Sequence, residues 1–266
     1  MNIRLISSLA ACAALCAMAG TTRAQIFEAN LSNGTIGKYT TSGATVNPRL
    51  VSGLTNPEGV AVSGGNLFVL NLFPNTIGEY TTSGATVNGA LISKLVDPTA
   101  IVMSGGFLYV ANLSGFLGGG TIGKYTTSGA TVNPALVSGL SFPGGIAISE
   151  DKLFVAIGGT GLGTGTIGEY TSSGATVNPA LVHGLIFPGA LELSGGNLFV
   201  ASSETGTIGE YTTSGATVNA SLISGLNNPG DIAVASASVP EASSVTLLLL
   251  GLAAILGLRF LVRRPA

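Results

Sequence analysis

The sequence predicts an all-β protein, a five-bladed β-propeller of four-stranded antiparallel blades, and three observations carry that expectation. Thirteen residues, "TIGEYTTSGATVN" at 76–88, recur with at most one letter changed from Thr35, Thr121, Thr166 and Thr207, at spacings of 41, 45, 45 and 41 residues. Each interval holds four short apolar runs bounded by Gly, Asn, Pro or Ser, the pattern of strands and turns. Finally, the repeats open on a second strand and end on a lone first strand. Three strands at the front and one at the back then make one shared blade that closes the ring. Four strands in a unit of this length is the composition of a propeller blade. A solenoid could use the same repeats, but it has no need of complementary half-units at its ends.

Each blade reads as strands A to D. Strand A is "GVAVS" (59–63), "AIVMS" (100–104), "GIAIS" (145–149), "ALELS" (190–194) and the closing "DIAVA" (231–235). Strand B is "IFEAN" (26–30), "LFVLN" (67–71), "LYVAN" (108–112), "LFVAI" (153–157) and "LFVAS" (198–202). Strand C is the Thr-Ile-Gly-x-Tyr-Thr run, and strand D lies within "ATVNPALVSGL" and its equivalents. Gly-rich links join A to B and C to D, as hairpins require. Both faces of these strands are largely apolar, which fits sheets sandwiched between neighbours. The repeated Ile and Tyr are expected between blades, with the intervening Gly admitting a neighbour.

The ends read as address labels. Residues 1–24 combine an early Arg4, an apolar stretch and small residues before Gln25, a secretory signal peptide with cleavage after Ala24. A buried N-terminal helix and a lipobox at Leu9-Ala10-Ala11-Cys12 are the competing readings. Both cysteines, Cys12 and Cys16, fall in this leader, so residues 25–238 contain no thiol for a disulfide, a zinc site or a nucleophile. At the other end, Val239-Pro240-Glu241-Ala242 precedes an apolar run, Val245 to Leu258, and a basic terminus with Arg263 and Arg264. A span of the membrane needs about 20 apolar residues, which this segment reaches only if Arg259 snorkels. Motif, helix and arginines over 239–266 resemble the PEP-CTERM sorting signal of Gram-negative bacteria, with Ala242 in place of the motif's second proline. The resemblance implies an exosortase-type sorting protease as partner, and delivery to the cell surface or extracellular matrix. If the helix is retained, the protein stays membrane-anchored.

Residues 25–238 carry five basic and eleven acidic side chains, a net charge of −6, with no basic cluster. Nucleic acid is excluded as a partner class on that balance. "PEGVAVSGGNLFVLN" (57–71) and "PGGIAISEDKLFVAI" (143–157), each followed by Thr-Ile-Gly-x-Tyr, resemble NHL-type repeats and gluconolactonase-like propellers. Those families include metal-dependent lactonases, lyases and pure binding scaffolds, so the resemblance specifies a fold and leaves the activity open.

In a propeller the D–A and B–C connections share one face and the A–B and C–D turns share the other. Here the C–D turn is almost invariant, whereas the D–A links vary and both four-residue insertions fall in B–C loops, "LSGFLGGG" (113–120) and "GGTGLGTG" (158–165). A binding site is expected on the variable face. Its polar candidates are Glu58, Asp97 and Asp231 near the starts of strand A, with Asn30, Asn71 and Asn112 at the ends of strand B. An oxygen-only set suits calcium, and the lactonase-like resemblance implies a divalent cation at these positions. Ile157 and Ser202 interrupt the Asn series, so the same residues also read as strand-ending caps with no cofactor. Glu192 replaces the small or aliphatic residues of its column and is expected to line the channel. His183, the only histidine, falls on the outer strand, too far from Glu192 for a dyad. "GGGTIGKY" (118–125) has P-loop spacing, but Tyr125 stands at the Mg²⁺-ligand position and a strand follows, so it is set aside. Phe116 is the best exposed aromatic. The preferred function is a secreted, surface-sorted, non-catalytic binding or extracellular-matrix structural module, with exopolysaccharide or matrix proteins as partners; the alternative is a Ca²⁺-dependent lactonase or hydrolase on the variable face.

Overall fold

The computed structural model describes residues 25–113, 119–230 and 232. The expected leader (1–24), Phe116, Asp231, residues 233–235 of the expected closing strand and the sorting segment with Pro240, Glu241, Ala242, Arg263 and Arg264 lie outside the described residues.

The chain is a five-bladed β-propeller, all-β, with nineteen strands and no helix among the described residues. Blade 1 holds β1 (Gln25–Asn30), β2 (Thr35–Thr40) and β3 (Thr45–Ser52). Blade 2 holds β4 (Pro57–Ser63), β5 (Asn66–Asn71), β6 (Thr76–Thr81) and β7 (Thr86–Ile92). Blade 3 holds β8 (Pro98–Ser104), β9 (Phe107–Asn112), β10 (Gly120–Thr126) and β11 (Thr131–Leu140). Blade 4 holds β12 (Pro143–Ser149), β13 (Lys152–Ile157), β14 (Gly165–Thr171) and β15 (Thr176–Leu185). Blade 5 holds β16 (Pro188–Ser194), β17 (Asn197–Ser202), β18 (Thr207–Thr212) and β19 (Thr217–Ile223). Each sheet is an antiparallel meander in sequence order. Blade 1 shows three strands among the described residues; the strand expected at 231–235 lies outside them except for Ile232.

Four apolar clusters are the four seams between consecutive blades. In the first, Ile36 and Val51 of blade 1 meet Leu67, Val69 and Tyr80 of blade 2. The other three repeat that scheme: Ile77 with Tyr125, Ile122 with Tyr170, and Ile167 with Tyr211. The repeat therefore faces both ways, its Ile toward the following blade and its Tyr toward the preceding one. Its Gly serves the same strand. A Cβ at Gly123 would come within 2.7 Å of Tyr125 Cε2, and the other four copies show the same clash with their own Tyr. The ring of each Tyr lies over the glycine two residues before it, which is the neighbour that the Gly admits.

The residue between Gly and Tyr is Lys in blades 1 and 3 and Glu in blades 2, 4 and 5, and the two kinds reach different partners. Lys38 Nζ donates to Thr82 O at 3.0 Å and Lys124 Nζ to Ser172 O at 3.2 Å, each reaching the turn of the next blade. The glutamates stay within their blades: Glu79 accepts from Asn66 and Glu210 from Asn197, both at 2.6 Å, and Glu169 pairs with Lys152 at 2.9 Å. Lys124 is thus a structural cation, held also over the rings of Phe107 and Tyr109. On the outer strands, the Oδ1 of Asn47, Asn88, Asn133, Asn178 and Asn219 accepts the backbone N–H two residues on, at 3.0–3.1 Å. His183 is exposed on β15 in register with Thr166.

The fifth seam, between blades 5 and 1, differs. Leu67, Leu108, Leu153 and Leu198 are fully buried, whereas their counterpart Ile26 is 47% exposed. Val51, Ile92, Val137 and Val182 are 4–6% exposed, but Ile223 is 45% exposed. The composition of blade 1 explains part of this. Glu28 occupies the column of Val69, Val110, Val155 and Val200, and a carboxylate resists burial against hydrocarbon. Glu28 instead accepts a hydrogen bond from the Tyr39 hydroxyl, which holds that phenol above its ordinary range.

Two outcomes follow from the seams. Glu28→Val restores the side chain that the other blades carry, and it should stabilise by about 1 kcal/mol, or about 2–4 °C in a thermal melt. An unchanged or lower midpoint would show that the Glu28–Tyr39 bond holds this seam better than packing can. Burial raises Tyr80, Tyr125, Tyr170 and Tyr211 above the ordinary phenol value of 10.0. The unfolded chain then releases these protons at a lower pH than the folded one. Stability should hold below pH 10 and fall as the pH rises through the folded values. Tm measured from pH 8 upward checks this, and a flat profile past pH 11 would contradict it.

Candidate functional site

Backbone hydrogen bonds divide the loops between two faces. Leu54 N donates to Gly34 O, Leu72 N to Asn56 O, Leu113 N to Asp97 O and Gly158 N to Phe142 O, tying the D–A and B–C connections together. On the other face Thr82 N donates to Gly65 O, Ser172 N to Asp151 O and Thr213 N to Gly196 O, tying the A–B and C–D turns. The variable loops therefore share one face with the mouth of the central channel.

The channel encloses about 560 Å³ between the inner strands β4, β8, β12 and β16, with Gly230 and Ile232 completing the wall. Each D–A link ends in a proline, and the residue after it forms a ring at the mouth: Glu58, Thr99, Gly144, Gly189 and Gly230. Deeper, Val60, Ile101, Ile146, Leu191 and Ile232 make the wall apolar, and Glu192 lies at the far end with Val62 and Met103. Thr99 is held by its neighbour, its Oγ1 donating to Pro143 O at 2.9 Å. The channel is pinched between blades 4 and 5. A Cβ on Gly145 would meet Leu191 N at 2.5 Å, and one on Gly144 would meet Gly189 O at 2.7 Å. Only glycine allows those two backbones to approach so closely.

The structure does not gather the sequence-derived candidates into one set. Glu58 stands at the channel mouth, solvent-accessible, yet the surrounding walls desolvate its carboxyl enough to raise its pKa. Glu192 lines the channel, half-buried and engaged by a neighbour. Asp97 precedes its proline and so falls outside the ring position that Glu58 occupies. It is exposed at a left-handed φ of 45°, in the column of Asn56 and Asn228. Asp231 lies outside the described residues. Asn71 and Asn112 are buried, with Nδ2 donating to Val69 O and Val110 O, while their Oδ1 atoms find no partner among the described residues. Asn30, in the same column, is half-buried. Two orphaned carboxamide oxygens fit the donor chemistry of a hard cation. Among the described residues, however, no three His, Cys, Asp or Glu side chains converge.

Sequence reasoning passed over two residues on this face. Phe142 and Phe187 occupy the left-handed slot that Asn56, Asp97 and Asn228 fill elsewhere, at φ of 55° and 44°. Asn and Asp tolerate that conformation; a bulky side chain in it costs about 1–3 kcal/mol. Both phenylalanines flank Gly158, where an added Cβ would lie 3.2 Å from Phe142 Cβ and 3.7 Å from Phe187 Cδ1. The signal was an aromatic residue in a column of Asn and Asp, and it acquires meaning only with the dihedral. Large exposed apolar side chains add to this face at Leu31, Phe73, Val96 and Leu162, the last 73% exposed. On the opposite face the turns, built of Gly, Ser and Thr with Glu150-Asp151 in blade 4, carry none among the described residues, and the exposed Val62 stands at that end of the channel.

No protein-family model matches the chain. No curated protein sequence matches it either. Solved structures do resemble it. A chain of the nidogen/laminin complex aligns with a TM-score of 0.64 at 19% identity, over 75% of this chain and 76% of that one. A catalytically inactive virginiamycin B lyase from Staphylococcus aureus, solved with quinupristin, gives 0.60 at 19% identity, over 81% and 72%. A gluconolactonase from Xanthomonas campestris gives 0.60 at 15% identity, over 78% and 75%. At such identities the likeness establishes the propeller fold.

The pinch yields a paired expectation. Gly145→Val drives a side chain into backbone and should destabilise by about 1–3 kcal/mol in a thermal melt. Gly189→Ala, where a Cβ meets nothing within 4 Å, should melt like the parent. Equal midpoints for the two variants would mean that the inner strands do not approach as described.

Proposed function

We propose that this chain is an exported, surface-sorted, non-catalytic propeller that binds a component of the extracellular matrix through its variable face. The observation that carries the reading is the pair Phe142 and Phe187, held in a left-handed conformation beside the channel mouth. Strain of that kind persists where the surroundings impose it, and it concentrates at sites that bind. The blades that hold this face in place are otherwise nearly interchangeable, which suits a scaffold. A chain in a protein–protein complex, that of nidogen and laminin, shares the fold and supports matrix protein as one class of partner, exopolysaccharide being the other.

Export and sorting rest on the ends of the sequence. Cleavage after Ala24 would release Gln25 as the first residue, and an exosortase-type protease would act at Pro240-Glu241-Ala242 ahead of the apolar segment and Arg263-Arg264. The product reaches the surface or matrix of a Gram-negative cell, or stays anchored by its helix. Mass spectrometry of the protein from native envelopes reads both ends directly.

The binding claim has its own test. Labelled protein should be retained saturably by native matrix, and Phe142→Asn with Phe187→Asn should weaken retention by about tenfold, or about 1.4 kcal/mol. Val132→Ser, on the outer strand, should not. Equal retention of all three proteins, or turnover of a lactone or ester at enzyme-like rates, would overturn the proposal.

A Ca²⁺-dependent lactonase or hydrolase on the same face is the second reading, favoured by the unpartnered Oδ1 atoms of Asn71 and Asn112. Glu58 and Asn71 would hold the ion from adjacent strands, Pro57 being in register with Asn71. Thermal melts with EDTA and across a Ca²⁺ series decide it. A saturable rise in midpoint, lost with Glu58→Gln, supports the metal site by linkage, and a flat response removes it.

A further inference from the structure

We infer that the variable face takes a protein segment in which a lysine or arginine is flanked by apolar side chains. The cation enters the channel mouth at Glu58, and the flanks rest on Phe73, Phe142, Phe187 and Leu162. This deepens the binding reading above and rests on it.

Charge supplies the first argument. Residues 25–238 carry a net −6, and Glu58 stands at the mouth with no hydrogen bond or ion pair to a described residue. The channel walls already desolvate its carboxyl, and an entering cation would offset that cost. Below the mouth the wall is Val60, Ile101, Ile146 and Leu191, which suits the methylene stem of a long basic side chain.

Position supplies the second. Leu72 N is bonded to Asn56 O, so Phe73 stands on a loop tied two residues from Glu58. Gly158 N is bonded to Phe142 O, so the loop bearing Leu162 is tied to the phenylalanine pair. Blades 4 and 5 lie across the ring from blade 2. The apolar contacts therefore bracket the carboxylate, as a short segment laid over the mouth would need. Among the described residues fourteen large apolar side chains are exposed, and the five that stand on loops, Leu31, Phe73, Val96, Leu162 and Leu226, all share this face.

The same surface is a poor match for a polysaccharide. Sugar-stacking platforms are usually built from flat aromatic rings with polar tips. The chain has no tryptophan, five of its six tyrosines are buried in seams, and the exposed tips include leucines.

The test uses the purified full chain and a fluorescein-labelled peptide, Ser-Leu-Leu-Lys-Leu-Leu-Ser, read by anisotropy. A second peptide has glutamine for the lysine, and a neutral hexasaccharide serves as competitor. The lysine peptide should bind saturably and at least about tenfold tighter than the glutamine peptide, with affinity falling as salt rises. Glu58→Gln should remove that preference. Phe142→Asn with Phe187→Asn should weaken both peptides while melting no lower than the parent, because asparagine relieves the left-handed backbone. Equal affinity for the two peptides, or a preference that survives Glu58→Gln, overturns the inference. Binding of the hexasaccharide with the peptides silent also overturns it and leaves the matrix-binding reading standing. Loss of saturable retention on native matrix would defeat that reading instead.

Discussion

The structure depends on one contact made four times: an isoleucine from one blade's third strand set against a tyrosine from the next blade's third strand. Because each repeat supplies both partners, every blade must present the same two surfaces in the same register. That requirement accounts for the strictness of the thirteen-residue motif. A substitution tolerated on one side of a blade has to be tolerated by the neighbour that it faces, and burial of a side chain of this size contributes about 1.5–3 kcal/mol. Sequence freedom is pushed to positions that no seam uses. Those are the D–A and B–C connections, which is why individuality collects on one face.

The channel shows the cost of the same geometry. Where blades 4 and 5 come closest, the inner strands carry glycine because backbone meets backbone. A wall of this kind offers little side-chain chemistry of its own, so functional groups stand at the rim, where loops supply them. Glu58 and the phenylalanine pair are both rim residues, separated by the width of the ring. The scaffold thus holds a charge and an apolar surface apart, on different blades of one face.

Blade number, strand order and the two-faced arrangement were legible in the sequence, because a period of 41–45 residues with four apolar runs leaves few alternatives; the inner strands begin two residues before the expected starts, at their prolines. His183 on the outer strand and Glu192 in the channel wall could be placed from their columns alone. What the letters concealed was orientation. The glycine before tyrosine was expected to admit a neighbouring element, and it admits its own strand's ring. Asp97 and Glu58 look equivalent beside a proline, yet they fall on opposite sides of it, and only one enters the ring at the mouth. Glu28 is visible in the aligned second strands, but its consequence required knowing that this column faces a seam. Phe142 and Phe187 required a dihedral angle.

The outer strands carry a further consequence. Five sheet edges face outward around the rim, and each presents backbone donors and acceptors to whatever lies beside it. Unsatisfied edges template the addition of foreign strands, the route to fibrils and to aggregation in crowded surroundings. The asparagine side chains that bond the amide two residues ahead consume one donor on every edge. Pro48, Pro134 and Pro179 remove a backbone amide from the outer strands of blades 1, 3 and 4. Blades 2 and 5 have Gly89 and Ala220 at that position and retain the donor. The rim is therefore uneven: the outer strands of blades 2 and 5 each keep a backbone amide that those of blades 1, 3 and 4 lack.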